Sequence, residues 1–183
     1  EHQLVELFMK IMNYYQVSRS LSGFFHDLSI EDPELAAEFE LQPNQKVSYL
    51  HFIERNEKLR SLVAPLQNMG DGAMSDKDRK LMALLQQLST KFQDQQAQQL
   101  QIIPALGEGQ AWSAPWKLMG QLPRAVTDFE MARLRELQNM TDAMIEGDIT
   151  KLDTAVESFV SEVGHRDKID HEITFNNAKP FTW

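Results

Sequence analysis

Apolar residues recur at three- and four-residue spacing along most of this chain, and no other feature constrains its fold as strongly. In the clearest case, Ser75 is the expected N-cap of a long helix whose one face carries Leu81, Leu84, Leu85, Leu88 and Phe92. The same period appears in the segments 3–16, 48–62, 123–146 and 152–163. The sequence therefore predicts an all-α fold, a mostly helical domain with at most one short strand.

Capping residues mark several helix boundaries. Asp32 before Pro33 predicts an N-cap followed by proline at the first position of a short helix. Gly147 is expected to end one helix, and Asp148 or Thr150 to begin the next. Because two or three residues join these last two helices, they are predicted to form a C-terminal antiparallel helical hairpin.

Segments rich in glycine or proline separate the helical stretches. Residues 69–75 contain two glycines and are predicted to be a flexible linker, and residues 1–45 are considered as a small N-terminal lobe. Residues 100–103 before Pro104 form either one short strand or an extended apolar tether. The Gln-rich segment 86–101 keeps the apolar period for most of its length, which predicts a solvated helix face. The length of 183 residues fits a single domain.

Composition excludes several classes of protein. The chain is 42% apolar, enough to bury a core, and it carries a formal charge of −9 with no Lys/Arg run longer than a pair. A nucleic-acid partner is therefore not expected, nor is docking of this domain on an anionic membrane surface. The absence of cysteine removes disulfides, thiolate metal sites and thiol nucleophiles from consideration, and leaves the compartment open.

Two clusters of polar side chains have the residue types of metal sites without the right spacing. One consists of His165, Asp167, Asp170 and His171, and the other of Asp71, Ser75, Asp76 and Asp78. The first lacks the second histidine of an HExxH motif, and the second lacks the order of an EF-hand loop. We predict no metal site and no catalytic residue, since no nucleophile signature occurs and the carboxylates are dispersed along helices.

The segment AWSAPW places Trp112 and Trp116 in a proline-containing loop. Two indoles offer large flat surfaces with a polar N–H, and such a pair is able to form a stacking platform for a ligand. The alternative, which the sequence favours, is that both rings fold back to cover the helical core. Both tryptophans are retained as candidate interaction residues.

The order of motifs is more specific than any one of them. LQIIP (100–104) is followed by WSAP (112–115), a helix, a Gly-Asp junction (147–148), a last helix, and EITFN (172–176) with Phe181 close behind. This succession resembles the extracytoplasmic domain of the system II cytochrome c biogenesis proteins, of the fused ResB–ResC or CcsB–CcsA type. The resemblance covers residues 50–183 and extends loosely to the N-terminus.

The resemblance implies a place on the periplasmic face of the bacterial inner membrane, with a membrane span beginning soon after Trp183. Phe181 and Trp183 would then be membrane-proximal, because aromatic rings are enriched at the membrane–water interface. The implied partners are membrane segments of the same parent chain and, as a candidate, apocytochrome c. The parent protein would handle haem; the family's haem ligands lie outside the matched region, so no cofactor-binding residue is assigned here.

Three hypotheses of function follow. The first is a non-catalytic domain of a haem-delivery and cytochrome c assembly protein, acting in structure or in apocytochrome recognition. The second is a free-standing soluble helical adaptor that binds a protein or peptide in a groove between helices. The third, an enzyme with a dispersed carboxylate site, has no motif in its support.

Overall fold

The computed structural model describes residues 2–68, 74–93, 100–104, 111–120 and 127–161 of the chain. Of these residues 73% are helical. The α-helices among them are α1 (His2–Ser20), α2 (Pro33–Glu38), α3 (Tyr49–Glu54), α4 (Asn56–Val63), α5 (Asp76–Phe92), α6 (Pro115–Met119), α7 (Asp128–Glu146) and α8 (Ile149–Ser161). The described ranges contain no β-strand, only the isolated antiparallel bridges Leu28–Val47 and Ile103–Ser113. The predicted all-α fold is confirmed.

The chain divides into two compact units, Glu1–Leu134 and Arg135–Trp183. Residues 1–45 belong to the same unit as α5 and α6; a separate lobe there stays a prediction. Most of the predicted linker, residues 69–73, lies outside the described residues.

Helices α2 and α5 begin at the residues that the sequence indicates. The Asp32 carboxylate accepts a hydrogen bond from Leu35 N at 2.8 Å, and Pro33 occupies the first turn of α2. Ser75 and Asp78 form a reciprocal capping box at the start of α5. Local side-chain to backbone bonds therefore set both starts.

The helical pattern of residues 48–62 is interrupted in the structure, where α3 ends at Glu54 and α4 begins at Asn56. The interruption is at Arg55, whose guanidinium pairs with the Glu40 carboxylate and lies 3.3 Å from Nδ1 of His51. The contact with Glu40, fifteen residues earlier, is tertiary, and the apolar period of the segment does not contain it.

Large apolar side chains form the core of the first unit. Those that are fully buried include Phe24, Leu35, Phe39, Phe52, Ile103, Trp116, Met119 and Leu134. Phe39 and Phe52 meet edge to face at 5.3 Å between ring centroids. Gly23 permits the close approach of α6: a Cβ atom there would lie 2.5 Å from Met119 Cε. The 3-10 turn Ser22–Phe24 and α6 thus pack closely together.

Within the second unit, α8 and the part of α7 that follows Leu134 form the predicted antiparallel hairpin. Gly147 adopts a left-handed φ of 70°, and Asp148 N donates to Ala143 O at 3.0 Å. The Asp148 carboxylate then accepts from Lys151 N at 3.0 Å and caps α8. Far from this turn, Ser158 Oγ donates to Glu136 Oε1 at 3.2 Å, as antiparallel helices require.

Candidate functional site

Trp116 lies at the centre of the first unit. Its side chain is 1% exposed, and its ring centroid lies 5.0 Å from that of Tyr49 and 6.2 Å from that of Phe92. Its Nε1 donates to Arg19 O and to Ser22 Oγ, both at 3.2 Å. Trp116 is therefore a core residue, and the prediction that it is an interaction residue is wrong. An indole whose faces and N–H are all engaged cannot stack on a ligand.

Trp112 differs from Trp116 although only three residues separate them. It is 38% exposed and precedes the bridge at Ser113. Pro115 then begins α6 and turns Trp116 into the core. Trp112 remains available as an interaction residue.

The Ile103–Ser113 bridge joins the two central motifs of the family resemblance. Ile103 N donates to Ser113 O at 3.0 Å, and Ser113 N donates to Ile103 O at 2.9 Å. Ile103, Pro104 and Ala114 are buried around this pair. LQIIP and WSAP are thus two sides of one structural element, with the bridge in place of the expected strand or tether.

Several sequence candidates lie outside the described residues, namely Asp71, His165, Asp167, Asp170, His171, Phe181 and Trp183. Ser75 and Asp78 form the α5 capping box, and Asp76 pairs with Arg79 at 3.1 Å, so this acidic cluster is the start of a helix, as interpreted. Across the described ranges no group of three or more His, Asp or Glu residues could hold a metal ion.

Helix α1 exposes apolar side chains along most of its length, a feature that sequence reasoning did not assign to a site. We call this the α1 surface; its members are between 40% and 76% exposed, and they are Val5, Leu7, Phe8, Met9, Ile11, Met12, Tyr14, Tyr15 and Val17. Phe8, Ile11 and Tyr15 share one face, whereas Glu6 and Lys10 form an ion pair at 2.9 Å on the opposite side. Among the described helices, none has the length and hydropathy needed to cross a membrane.

A cleft of about 1030 Å³ separates residues 27–33 from one face of α5. We call it the α5 cleft. Buried Leu28, Ile30, Leu35 and Leu84 contribute its apolar lining. The α5 wall also carries Lys80, Ala83, Gln86, Gln87, Thr90 and Lys91.

Two ion pairs cross the α5 cleft at its ends. Lys80 Nζ lies 2.6 Å from the Asp32 carboxylate, and Lys91 pairs with Asp27. The hydrogen bond from Lys80, helped by the one from Leu35 N, lowers the pKa of Asp32, and the same carboxylate raises the pKa of Lys80. Asp32 and Lys80 are therefore both charged at neutral pH and compensate each other's charge.

Comparisons of the chain with family models, with characterised proteins and with solved structures find no match. The resemblance to cytochrome c biogenesis proteins therefore stays a prediction from the sequence.

Proposed function

We propose that this chain is a non-catalytic extracytoplasmic domain of a membrane-bound cytochrome c biogenesis protein, on the periplasmic face of a bacterial inner membrane. Its motif order supports the proposal, from LQIIP and WSAP through the Gly-Asp junction to EITFN. Its work in that setting is to bind protein segments: parts of its own parent chain and the apocytochrome.

The observation that carries a role within a larger assembly is the α1 surface. The largest apolar patch on a typical monomer is about 300–600 Å². Helix α1 carries nine large apolar side chains that are each at least 40% exposed, and exposed apolar surface marks sites of interaction with a protein or a membrane. The membrane-associated segments of the parent chain are the partner that the family resemblance supplies for this surface.

Charge supports the second part of the proposal, apocytochrome recognition. The chain has 27 acidic and 18 basic residues. A domain of this charge attracts a basic polypeptide, and complementary charge mainly raises the association rate and sets specificity. Haem handling belongs to the parent protein, and no residue of this chain is assigned to it.

The coding sequence after Trp183 tests the proposal. A stretch of about 20 apolar residues within the next 60 or so codons would supply the membrane span that the family resemblance requires. A stop codon near Trp183, with no span encoded upstream either, would contradict membership of a membrane protein.

The α5 cleft favours a second candidate function, a soluble helical adaptor that binds peptides. This function needs no membrane span on either side of the chain. The same coding sequence therefore separates the two candidates.

A further inference from the structure

The α5 cleft has one wall of extended chain whose outer edge is unpaired. On the inner edge, Leu28 exchanges both backbone hydrogen bonds with Val47, at 3.2 and 2.8 Å, and Ile30 O accepts from Asn44 N at 2.8 Å. The N–H and C=O groups of alternate residues in an extended chain point to opposite edges. Those of Ser29 and Glu31 therefore point away from residues 44–47, and within the described ranges they form no hydrogen bond.

The dimensions of the α5 cleft fit a short extended peptide. Lys80 and Lys91 are about 16 Å apart along α5 at 1.5 Å per residue. Asp27 and Asp32 span about the same length at 3.3 Å per residue. The two ion pairs therefore bracket room for about five residues of extended chain.

The surface chemistry of the α5 cleft also fits a peptide. Leu28 and Leu84 offer apolar contact, Gln87 offers a neutral donor and acceptor, and exposed Ala83 leaves space above the helix. Glu31 forms no ion pair in the described part of the chain, unlike Asp27 and Asp32. The net charge left at the cleft is therefore negative, which complements a lysine or arginine on the occupant.

We propose that the α5 cleft binds an extended polypeptide segment of about five residues with at least one basic side chain, which adds a strand to the free edge at Ser29 and Glu31. Backbone hydrogen bonds supply affinity, and alternate side chains of the segment face the apolar lining. This inference rests on the second candidate function, a peptide-binding protein, and deepens it by naming the site and the chemistry of the peptide; it holds whether or not the parent protein assembles cytochrome c.

The inference is tested with a library of random pentapeptides displayed on phage. Peptides are selected for binding to the natural chain, and those that also bind the Ala83→Phe variant are removed. The added ring would fill the α5 cleft from an exposed helix position. Met82→Phe is the matched control, since Met82 is 43% exposed on the same helix and does not line the cleft. Circular dichroism of both variants establishes that the helices are retained.

The expected result is a set of enriched peptides that carry Lys or Arg and bind the natural chain, measured by fluorescence anisotropy with a fluorescein label. Affinity should fall by at least about tenfold in Ala83→Phe and change by less than about twofold in Met82→Phe. Glu31→Gln should weaken basic peptides more than variants of those peptides without the basic residue.

N-methylation of the peptide backbone tests the strand pairing itself. Methylation of one alternating set of residues should abolish binding, and methylation of the other set should preserve it, because only one set faces the edge. The inference is overturned if no peptide binds the natural chain in preference to the Ala83→Phe variant. It is also overturned if the enriched peptides bind Ala83→Phe and Met82→Phe with equal affinity, or if the two sets of methylated peptides bind equally well.

Discussion

At the scale of single residues, the two tryptophans of AWSAPW show what local sequence leaves undecided. The interpretation that both cover the core holds for Trp116, at 1% exposure, and is wrong for Trp112, at 38%. The difference depends on Arg19 O and Ser22 Oγ, which accept from the Trp116 indole and lie more than ninety residues earlier in the chain. Partners so distant in sequence leave no mark in the local pattern.

Replacing Trp116 with alanine is expected to lower the free energy of unfolding by about 3–5 kcal/mol, because a large buried ring is lost and a cavity remains. Urea denaturation followed by far-ultraviolet circular dichroism measures the change. Trp112→Ala is the matched control and should lose clearly less, because this ring is 38% exposed. Equal losses in the two variants would show that Trp116 is not the anchor of the core.

Glu38 gives the chain a predictable response to acid. Lys58 of α4 and Lys77 of α5, the latter at 2.9 Å, both bond its carboxylate and lower its pKa from 4.5 to about 2. A carboxyl group whose pKa is depressed by folding stabilises the folded state above its unfolded pKa, and this stabilisation is lost as the pH falls towards the folded pKa. The loss therefore falls between pH 4.5 and about 2.

Glu38→Gln should accordingly reduce the decline in unfolding free energy over that acid window, and by more than the control variant Glu57→Gln does. Glu57 serves as the control because it is an exposed carboxylate in the first turn of the neighbouring helix α4. Urea denaturation at pH 7 and at several values down to pH 2.5 measures the decline. An identical acid dependence in Glu38→Gln and the natural chain would contradict the role of this carboxylate.

At the scale of helices, the sequence predicts boundaries well where the signal is a local cap. Asp32, Ser75 and Gly147 each stand where the structure begins or ends a helix. Helix α6 was missed, although Pro115 at its first turn was an available signal, because a helix of five residues is too short to show an apolar period. The break at Arg55 was missed because the apolar period of residues 48–62 runs through it without interruption.

At Gly147 the hairpin turn is expected to depend on the backbone conformation and not on the space for a side chain. A Cβ atom there would meet no atom within 4 Å, so a substitution is opposed only by the left-handed φ of 70°. Gly147→Ala should therefore destabilise the hairpin by about 1 kcal/mol. Gly147→Asn should cost less, since asparagine tolerates this conformation.

Thermal unfolding of the two Gly147 variants, followed by circular dichroism, measures which of them is the less stable. An alanine variant as stable as the natural chain would show that the left-handed turn does not restrain α7 and α8.

At the scale of the whole molecule, the sequence predicts the helical class and leaves the binding surfaces unassigned. The amphipathic pattern of residues 3–16 predicts a helix with an apolar face, and the structure leaves that face exposed in α1. The α5 cleft was equally hidden, because it combines an extended segment with a helix some fifty residues later. Such surfaces are products of tertiary packing.

We propose that this domain binds protein segments in cytochrome c assembly, and covalent holocytochrome c is the most direct readout of that proposal. In the parent protein, Phe8→Gln with Ile11→Gln replaces two of the nine apolar side chains of the α1 surface, both on one face, with a good helix former. Glu6→Gln with Lys10→Gln changes the opposite side of the same helix and removes an exposed ion pair that contributes little to stability.

Haem-stained gels measure holocytochrome c, and immunoblots measure the level of the parent protein. We expect a severalfold loss of holocytochrome c in the first variant and none in the second, at equal parent levels; unchanged holocytochrome c in both would contradict the claim.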